Sequence, residues 1–186
     1  MASVFQQIGN FLGFSTSVPT VSAVSPTTAS TNTAFSLQSS NNAVTSGAET
    51  IYVAAPGNAT IDAHASSSPV VIVGNTGTDT LTGGTGSNLI VGGSGTNIMT
   101  GNGGANDVFG HAAGATDYIT NFNPGAGEKI ALAQGLTYSS VHMATANPST
   151  LGLSSGPVPS EVLSFSDFST VTLFGVTEHP SASWFI

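Results

Sequence analysis

Four consecutive units of nine residues fill the centre of the chain: GNTGTDTLT (Gly74–Thr82), GGTGSNLIV (Gly83–Val91), GGSGTNIMT (Gly92–Thr100) and GNGGANDVF (Gly101–Phe109). Glycine opens each unit and recurs at the fourth place, where a chain turns sharply. The eighth place is always apolar, and one more step of nine towards the N-terminus adds a fifth apolar residue, giving Ile72, Leu81, Ile90, Met99 and Val108. This period predicts a coil whose turns stack around a thin apolar core.

The repeat resembles the nonapeptide of RTX, or hemolysin-type calcium-binding, proteins, whose pattern is G-G-x-G-x-D-x-U-x with U a large apolar residue. The segments Asp117–Gly125 and Glu128–Leu132 resemble the strand and turn that follow such repeats in serralysin-type secreted proteins. The resemblance implies an all-β fold in which a short parallel β-roll or β-helix spans residues 48–132. Antiparallel strands of a C-terminal cap, residues 133–186, would close the coil, and residues 1–47 would form an extended N-terminal arm.

The aspartate of the family motif is mostly replaced in this chain. Its place in each unit holds, in order, Asp79, Asn88, Asn97 and Asn106. In the family, two nonapeptides make one coil, and motif carboxylates and glycine carbonyls of successive coils enclose calcium. The resemblance therefore implies one edge at which Asp79 faces Asn97, and a second at which Asn88 faces Asn106.

The candidate calcium ligands follow from these two edges. The first edge adds the turn carbonyls of Gly77 and Gly95, the second has Asp107 next to its motif position, and Asp117 begins the strand after the repeats. Because calcium affinity follows the number of charged oxygen ligands, we expect weak or partial binding of Ca²⁺. The alternative is that the asparagines stack as hydrogen-bonded ladders without a metal.

Composition restricts the partners. The 186 residues carry a formal net charge of −8, charged residues make up 5%, and the only basic residue is Lys129. Binding to nucleic acid is therefore excluded, because it depends on basic contacts to phosphate, and binding to anionic membrane surfaces is disfavoured. No apolar run approaches the length that spans a bilayer, so no membrane insertion is expected. Low charge instead favours association between copies.

The two ends of the chain have separate expected roles. Met1–Phe14 has a helix-like apolar spacing, and would cover an open end of the coil or dock on a neighbouring copy. It lacks the features of a secretory signal peptide. Ser181–Ile186 is similar to the uncleaved C-terminal signals with which RTX proteins leave the cell by type I secretion.

The expected core of the cap consists of Phe165, Phe168, Leu173, Phe174 and Trp184.

No catalytic constellation is predicted. Gly152–Gly156 fits the G-x-S-x-G pattern with Ser154 as its serine, but the helix that should follow is replaced by Pro157 and Pro159. The histidines are isolated in the sequence, and His111, directly after the repeats, is expected to be a surface or strand-end residue rather than a metal ligand. We therefore expect no enzyme.

The sequence leaves three functions open. The leading one is a secreted structural protein that self-assembles into an extracellular filament, surface layer or matrix. The alternative is a monomeric, calcium-dependent adhesion module for a cell-surface glycan or protein. An ice-binding coil ranks last, because the threonine row Thr78, Thr80 and Thr82 is not repeated on the next coils, where Leu89 and Val91, and then Ile98, take its places.

Overall fold

The computed structural model describes residues 42–46, 49–153 and 156–186. These residues form strands and three short 3-10 helices, with no α-helix among them. The strands are β1 (Asn42–Ser46), β2 (Glu49–Val53), β3 (Thr60–Asp62), β4 (Val70–Val73), β5 (Thr76–Thr82), β6 (Leu89–Val91), β7 (Ser94–Thr100), β8 (Val108–His111), β9 (Thr116–Ile119), β10 (Lys129–Leu132), β11 (Tyr138–Ala146), β12 (Val158–Phe165) and β13 (Thr170–Phe174). The 3-10 helices are Pro124–Ala126, Pro148–Leu151 and Ala182–Trp184.

Successive strands of the coil alternate between two sheets. The six-stranded sheet has the order β1-β2-β4-β6-β8-β10, and the seven-stranded sheet has the order β11-β12-β13-β9-β7-β5-β3. Pairing within the coil is parallel, whereas β11, β12 and β13 pair antiparallel with one another. The structure confirms the all-β prediction of a parallel β-solenoid closed by antiparallel strands.

The coil keeps a strict two-unit period only over part of its length. Asp79 of β5 lies opposite Asn97 of β7, eighteen residues on, as the RTX pattern implies. Between β6 and β8 the register partners are Leu89 and Val108, which adds one residue to the step. Between β7 and β9 the partners are Asn97 and Asp117, which adds two. These insertions decide which side chains meet in successive coils.

The extra residue between β6 and β8 changes which side chain takes the inward apolar place in the fourth unit, so the prediction for that unit is wrong. Val108, the expected inward residue of the fourth unit, is half-buried and packs in a small cluster with Leu89 and Val91. Phe109 takes the inward place and is fully buried. A shift of one residue sends a strand side chain to the opposite face of the sheet, so the extra residue moves the ladder from Val108 to Phe109.

The core is one cluster of apolar side chains between the two sheets, and each sheet contributes one row to it. Each buried large side chain contributes about 1.5–3 kcal/mol. The six-stranded sheet supplies Ile72, Ile90, Phe109 and Ile130, and the seven-stranded sheet supplies Leu81, Met99, Ile119 and Leu173.

Glycine at the fourth place lets neighbouring coils approach closely. Gly95 has a φ of 112°, and a Cβ built on it would overlap the carbonyl oxygen of Gly77 in the coil before. Any other residue at this position would be strained in its backbone and would push the coils apart. The repeating glycine is therefore a requirement of stacking as well as of turning.

The C-terminal cap closes the coil largely as expected. Phe165, Leu173, Phe174 and Trp184 are buried, and Phe185 continues the six-stranded sheet through a bridge to Ile130. Phe168 corrects the prediction: it lies in the turn between β12 and β13 with a φ of 67° and is 93% exposed.

Hydrogen bonds to Asp167 fix the turn that holds Phe168. Its carboxylate accepts the backbone N–H groups of Gly114 and Ser169 at 2.7 and 3.0 Å. This turn holds Phe168 out of the core although the residue is aromatic.

Three predictions lie outside the described residues: the role of Met1–Phe14, the extended N-terminal arm of residues 1–47 except residues 42–46, and the Ser154 pattern. Among the residues that are described, no helix has the length and apolar character needed to cross a membrane.

Candidate metal centre

Two columns of buried polar side chains run along the coil, one on each sheet: the first lies within the strands and the second directly before them. The first polar column consists of Asp79, Asn97 and Asp117, which are register partners in the seven-stranded sheet. The second polar column consists of Asn88, Asp107 and Glu128, which directly precede the register partners Leu89, Val108 and Lys129 of the six-stranded sheet. All six side chains are at most 2% exposed.

Asp79, at the start of the first polar column, binds backbone on two coils. Its Oδ1 accepts the N–H of Ala59 in the preceding coil at 2.9 Å, and its Oδ2 accepts the N–H of Asn75 in its own turn at 3.0 Å. Burial raises the pKa of Asp79, and these two hydrogen bonds partly offset the increase. Both oxygens of this predicted calcium ligand therefore already bind the protein.

Asn97 joins the first polar column across the next coil. Its Nδ2 donates to Asp117 Oδ1 at 2.7 Å and more weakly to the Gly93 carbonyl at 3.3 Å. Its Oδ1 is buried and has no hydrogen-bond partner among the described residues. An asparagine amide therefore makes the link between coils that calcium makes between two aspartates in the family pattern.

The first polar column ends in a histidine network that ties the coil to the cap. His111 Nδ1 lies 2.7 Å from Asp117 Oδ2, and His111 Nε2 lies 2.8 Å from Ser169 Oγ. His111 ends β8, as predicted for a strand-end residue, but it is 1% exposed and is not a surface residue. Burial raises the pKa of Asp117, and the bonds from His111 and Asn97 lower it.

Asp117, His111 and Ser169 are connected in the order of a serine-hydrolase triad. Their hydrogen bonds hold parts of the fold together and do not activate the serine. The Ser169 hydroxyl donates to Asp167 Oδ1 at 2.5 Å, so its proton is not directed at His111. Ser169 is 4% exposed and is closed to a substrate. The side-chain hydrogen bond from Ser169 is the main cause that lowers the pKa of Asp167 to about 2. The network therefore clamps β8, β9 and the β12–β13 turn together.

The second polar column corrects the predicted pairing of Asn88. The extra residue between β6 and β8 places Asp107, and not Asn106, beside Asn88. Asp107 Oδ1 accepts the Asn88 backbone N–H at 2.7 Å and the Asn88 Nδ2 group at 2.9 Å. Asn106 lies in the preceding turn, is exposed and has a φ of 60°.

The C-terminal half of the second polar column has unsatisfied negative charge. Asp107 Oδ2 is buried without a hydrogen-bond partner among the described residues. Glu128 follows on the next coil, where its Oε2 accepts the Asn123 N–H at 2.8 Å. Burial, with a further contribution from the charge of Asp107, raises the pKa of Glu128 to about 7. Two neighbouring buried carboxylates of this kind favour a bound cation.

The residues present are compatible with calcium, which takes carboxylate, amide and carbonyl oxygens. The unpartnered oxygens of Asp107 and Asn97 are of this type. Within the described part of the chain, however, no three His, Asp or Glu side chains lie close enough together to hold a metal. Calcium would therefore need Asn and backbone oxygens to complete its ligand set.

The structure brings together only some of the predicted ligands. Asp79 with Asn97, Asn97 with Asp117, and Asn88 with Asp107 are neighbours, and Gly77 lies against Gly95. Their role as calcium ligands stays a prediction. Glu128 was not among the predicted ligands, although it stands where the family prefers an aspartate.

Comparison with known proteins gives the same assignment for the central block. The family model of the RTX calcium-binding nonapeptide repeat matches residues 73–108 in four copies. No similar protein was found among curated protein sequences or solved structures. RTX nonapeptides are calcium-binding motifs typical of secreted proteins. Residues 73–108 are thus RTX calcium-binding repeats, and they form part of a parallel β-solenoid consistent with a β-roll.

Proposed function

We propose that this protein is a secreted structural protein that self-assembles outside a bacterial cell into a filament, layer or matrix, and that calcium assists the assembly. The repeats support the coarser part of this proposal, a secreted calcium-binding protein. The observation that carries the finer part is the open edge of the β-solenoid at β11. Among the described residues, β11 forms one end of the seven-stranded sheet and pairs with β12 only.

Open sheet edges favour association because their unpaired N–H and C=O groups can pair with another chain. The usual opposing force is weak in this protein, since only 5% of its residues are charged. Low charge with open edges supports an assembling protein over one that stays monomeric.

The second polar column is the best-supported place for calcium in this proposal. Asp107 and Glu128 supply carboxylate oxygens from adjacent coils, whereas the unpartnered amide oxygen of Asn97 lies in the first polar column, on the other sheet. A bound calcium ion would supply positive charge that neutralises the carboxylates and ties one coil to the next. The remaining predicted ligands, Asp79, Asn88, Asn106, Asp117 and the carbonyls of Gly77 and Gly95, would complete weak or partial sites.

The proposal is tested by sedimentation velocity and negative-stain microscopy of the full chain, in millimolar calcium and in EDTA. We expect large ordered assemblies in calcium and smaller species in EDTA. Full-length protein that stays monomeric at high concentration in millimolar calcium would overturn the proposal.

A second candidate is a monomeric, calcium-dependent binding module for a cell-surface glycan, and the outer face of the seven-stranded sheet favours it. Thr78, Thr96, Thr116 and Thr170 are register partners on four neighbouring strands and form a threonine row across the coils, although Thr80 lies opposite Ile98. Tyr118 stacks on Phe174 on the same face, at 5.8 Å between ring centroids. Binding of the monomer to an insoluble polysaccharide, lost on Thr96→Val, would support this candidate.

A further inference from the structure

Strand β11 is an unusually unprotected edge. It is nine residues long and, among the described residues, pairs with β12 alone. Its sequence, YSSVHMATA, contains no charged residue and no proline, which are the common protections of an edge strand. The pairing irregularity lies between Tyr138 and Ser140, so the stretch from Ser140 to Ala146 is regular. Its outer edge is suited to accept another strand.

The other outer strands are shorter or better protected, and the longest of them, β1, has five residues. β3, at the opposite edge of the same sheet, has three residues and ends in Asp62, whose side chain is half exposed. β10, at one edge of the six-stranded sheet, carries Lys129 and is already bridged by Phe185. β11 is therefore the more favourable place for a second chain to add.

From this edge we infer that β11 pairs antiparallel with β11 of a second copy of the chain, centred on His142, so that two coils share one continuous sheet. The inference rests on the proposed self-assembly and names one interface of it. A second copy is the favoured occupant because two identical edges can meet about a two-fold axis. The interface also lies on an uncharged strand of a chain with a net charge of −8, where copies repel least.

The apolar side chains of β11 select the register. Val141 lies opposite Leu163 of β12 and packs against the core, while Met143 on the same face is 45% exposed. Antiparallel pairing centred on His142 sets Val141 of each copy opposite Met143 of the other. Directly opposed residues share one face of a sheet, so this register extends the apolar row and covers Met143. A centre at Met143 would oppose Val141 to Thr145 instead.

Engineered cysteines test the register, because the chain has no cysteine of its own. Opposed residues have Cβ atoms about 4.5–5.5 Å apart, close to what a disulfide spans. Under mild oxidation of the full-length protein, His142→Cys should give a covalent dimer. Ser140→Cys and Ala144→Cys should cross-link when mixed and not separately, because like positions lie four residues, about 13 Å, apart along the strand. Cross-linking of either variant alone without the mixed product would overturn the register.

A charge at the centre tests the interface without a cross-link. His142 is exposed, so His142→Lys should leave the fold intact while it places two ammonium groups face to face. We expect at least a tenfold weaker dimer by sedimentation equilibrium and an unchanged thermal midpoint of the monomer. The matched control is Gln134→Lys, an exposed position outside β11, which should leave association unchanged.

The outcomes separate this inference from the proposed function. Wild-type assemblies that persist unchanged in His142→Lys, with no disulfide at position 142, would overturn the β11 interface and leave self-assembly standing. Discrete dimers cross-linked at position 142 with no larger assemblies would support the interface and count against a filament. A monomeric wild-type protein in millimolar calcium would overturn both.

Discussion

The two polar columns occupy equivalent places in the coil but are stabilised in different ways. In the first polar column, the carboxylates of Asp79 and Asp117 are bound by backbone N–H groups, the Asn97 amide and His111. In the second, Asp107 keeps an unpartnered oxygen and lies beside Glu128, whose pKa rises to about 7. The carboxylates of the first column are satisfied by the protein itself, although the Asn97 amide oxygen has no partner among the described residues, whereas the second column has negative charge that a cation would neutralise.

This difference shows how a calcium-binding repeat can hold its coils together after losing motif aspartates. An asparagine donates hydrogen bonds to the carboxylate of the next coil, so one Asn–Asp pair can join two coils without a metal. Where two carboxylates follow each other, as at Asp107 and Glu128, that solution is not available. We therefore expect metal dependence to be concentrated in the second polar column.

The largest effect is expected from Asp117→Ala, which removes the central acceptor of the first polar column. The change leaves His111 Nδ1 without its partner and the Asn97 amide with only its weaker bond to the Gly93 carbonyl, and breaking a buried pair in this way costs about 3–5 kcal/mol. Urea unfolding should show this loss both in EDTA and in calcium. Recovery of the lost stability by calcium would contradict a metal-independent first column.

Asn97→Asp should give the first polar column two neighbouring carboxylates, as in the second polar column. The new carboxylate would face Asp117 and replace a charge-assisted hydrogen bond, a loss of about 1.5–3 kcal/mol in EDTA. Calcium should restore most of this loss, since two facing carboxylates are the arrangement of the family motif. Thermal unfolding with and without calcium measures the effect. If the variant is as stable as wild type in EDTA, the Asn97–Asp117 bond does not hold the coils together.

Asp107→Asn should remove most of the stabilisation that calcium gives to the wild-type protein. At a calcium concentration ten times the dissociation constant, that stabilisation is about 1.4 kcal/mol. Asp79→Asn should leave more of the calcium response, because both Asp79 oxygens already accept backbone hydrogen bonds. Calorimetric calcium titration of both variants tests the difference. A larger loss in Asp79→Asn would return the metal to the edge that the sequence alone favours.

A pH dependence of stability is also expected between pH 5 and pH 8 in EDTA. Because the pKa of Glu128 is raised from 4.5 to about 7 in the folded state, its contribution to stability is complete below pH 4.5 and is lost as the pH rises through 7. The thermal midpoint should therefore fall from pH 5 to pH 8. Glu128→Gln should flatten the profile, as should calcium. The lowered pKa of Asp167 acts only at much lower pH. A midpoint that rises with pH would contradict the assignment.

The nine-residue period by itself determined the architecture. A glycine at fixed places and one apolar residue per unit require a stacked coil, because that is how single apolar residues at this spacing become buried. The resemblance to the RTX repeat, in which two units make one coil, predicted the pairing of Asp79 with Asn97, since no residue is inserted between them. The spacing of glycine and apolar residues within the repeats is sufficient to predict the stacked coil.

Only the tertiary structure decided what happens where the period fails. One added residue moved Phe109 into the core and Asp107 into the second polar column, because a one-residue shift exchanges the two faces of a strand. The contact of His111 with Ser169 joins residues 58 apart, which no local pattern encodes. Burial likewise determined the raised pKa of Glu128, since desolvation depends on the whole surrounding coil and not on the neighbouring residues in sequence.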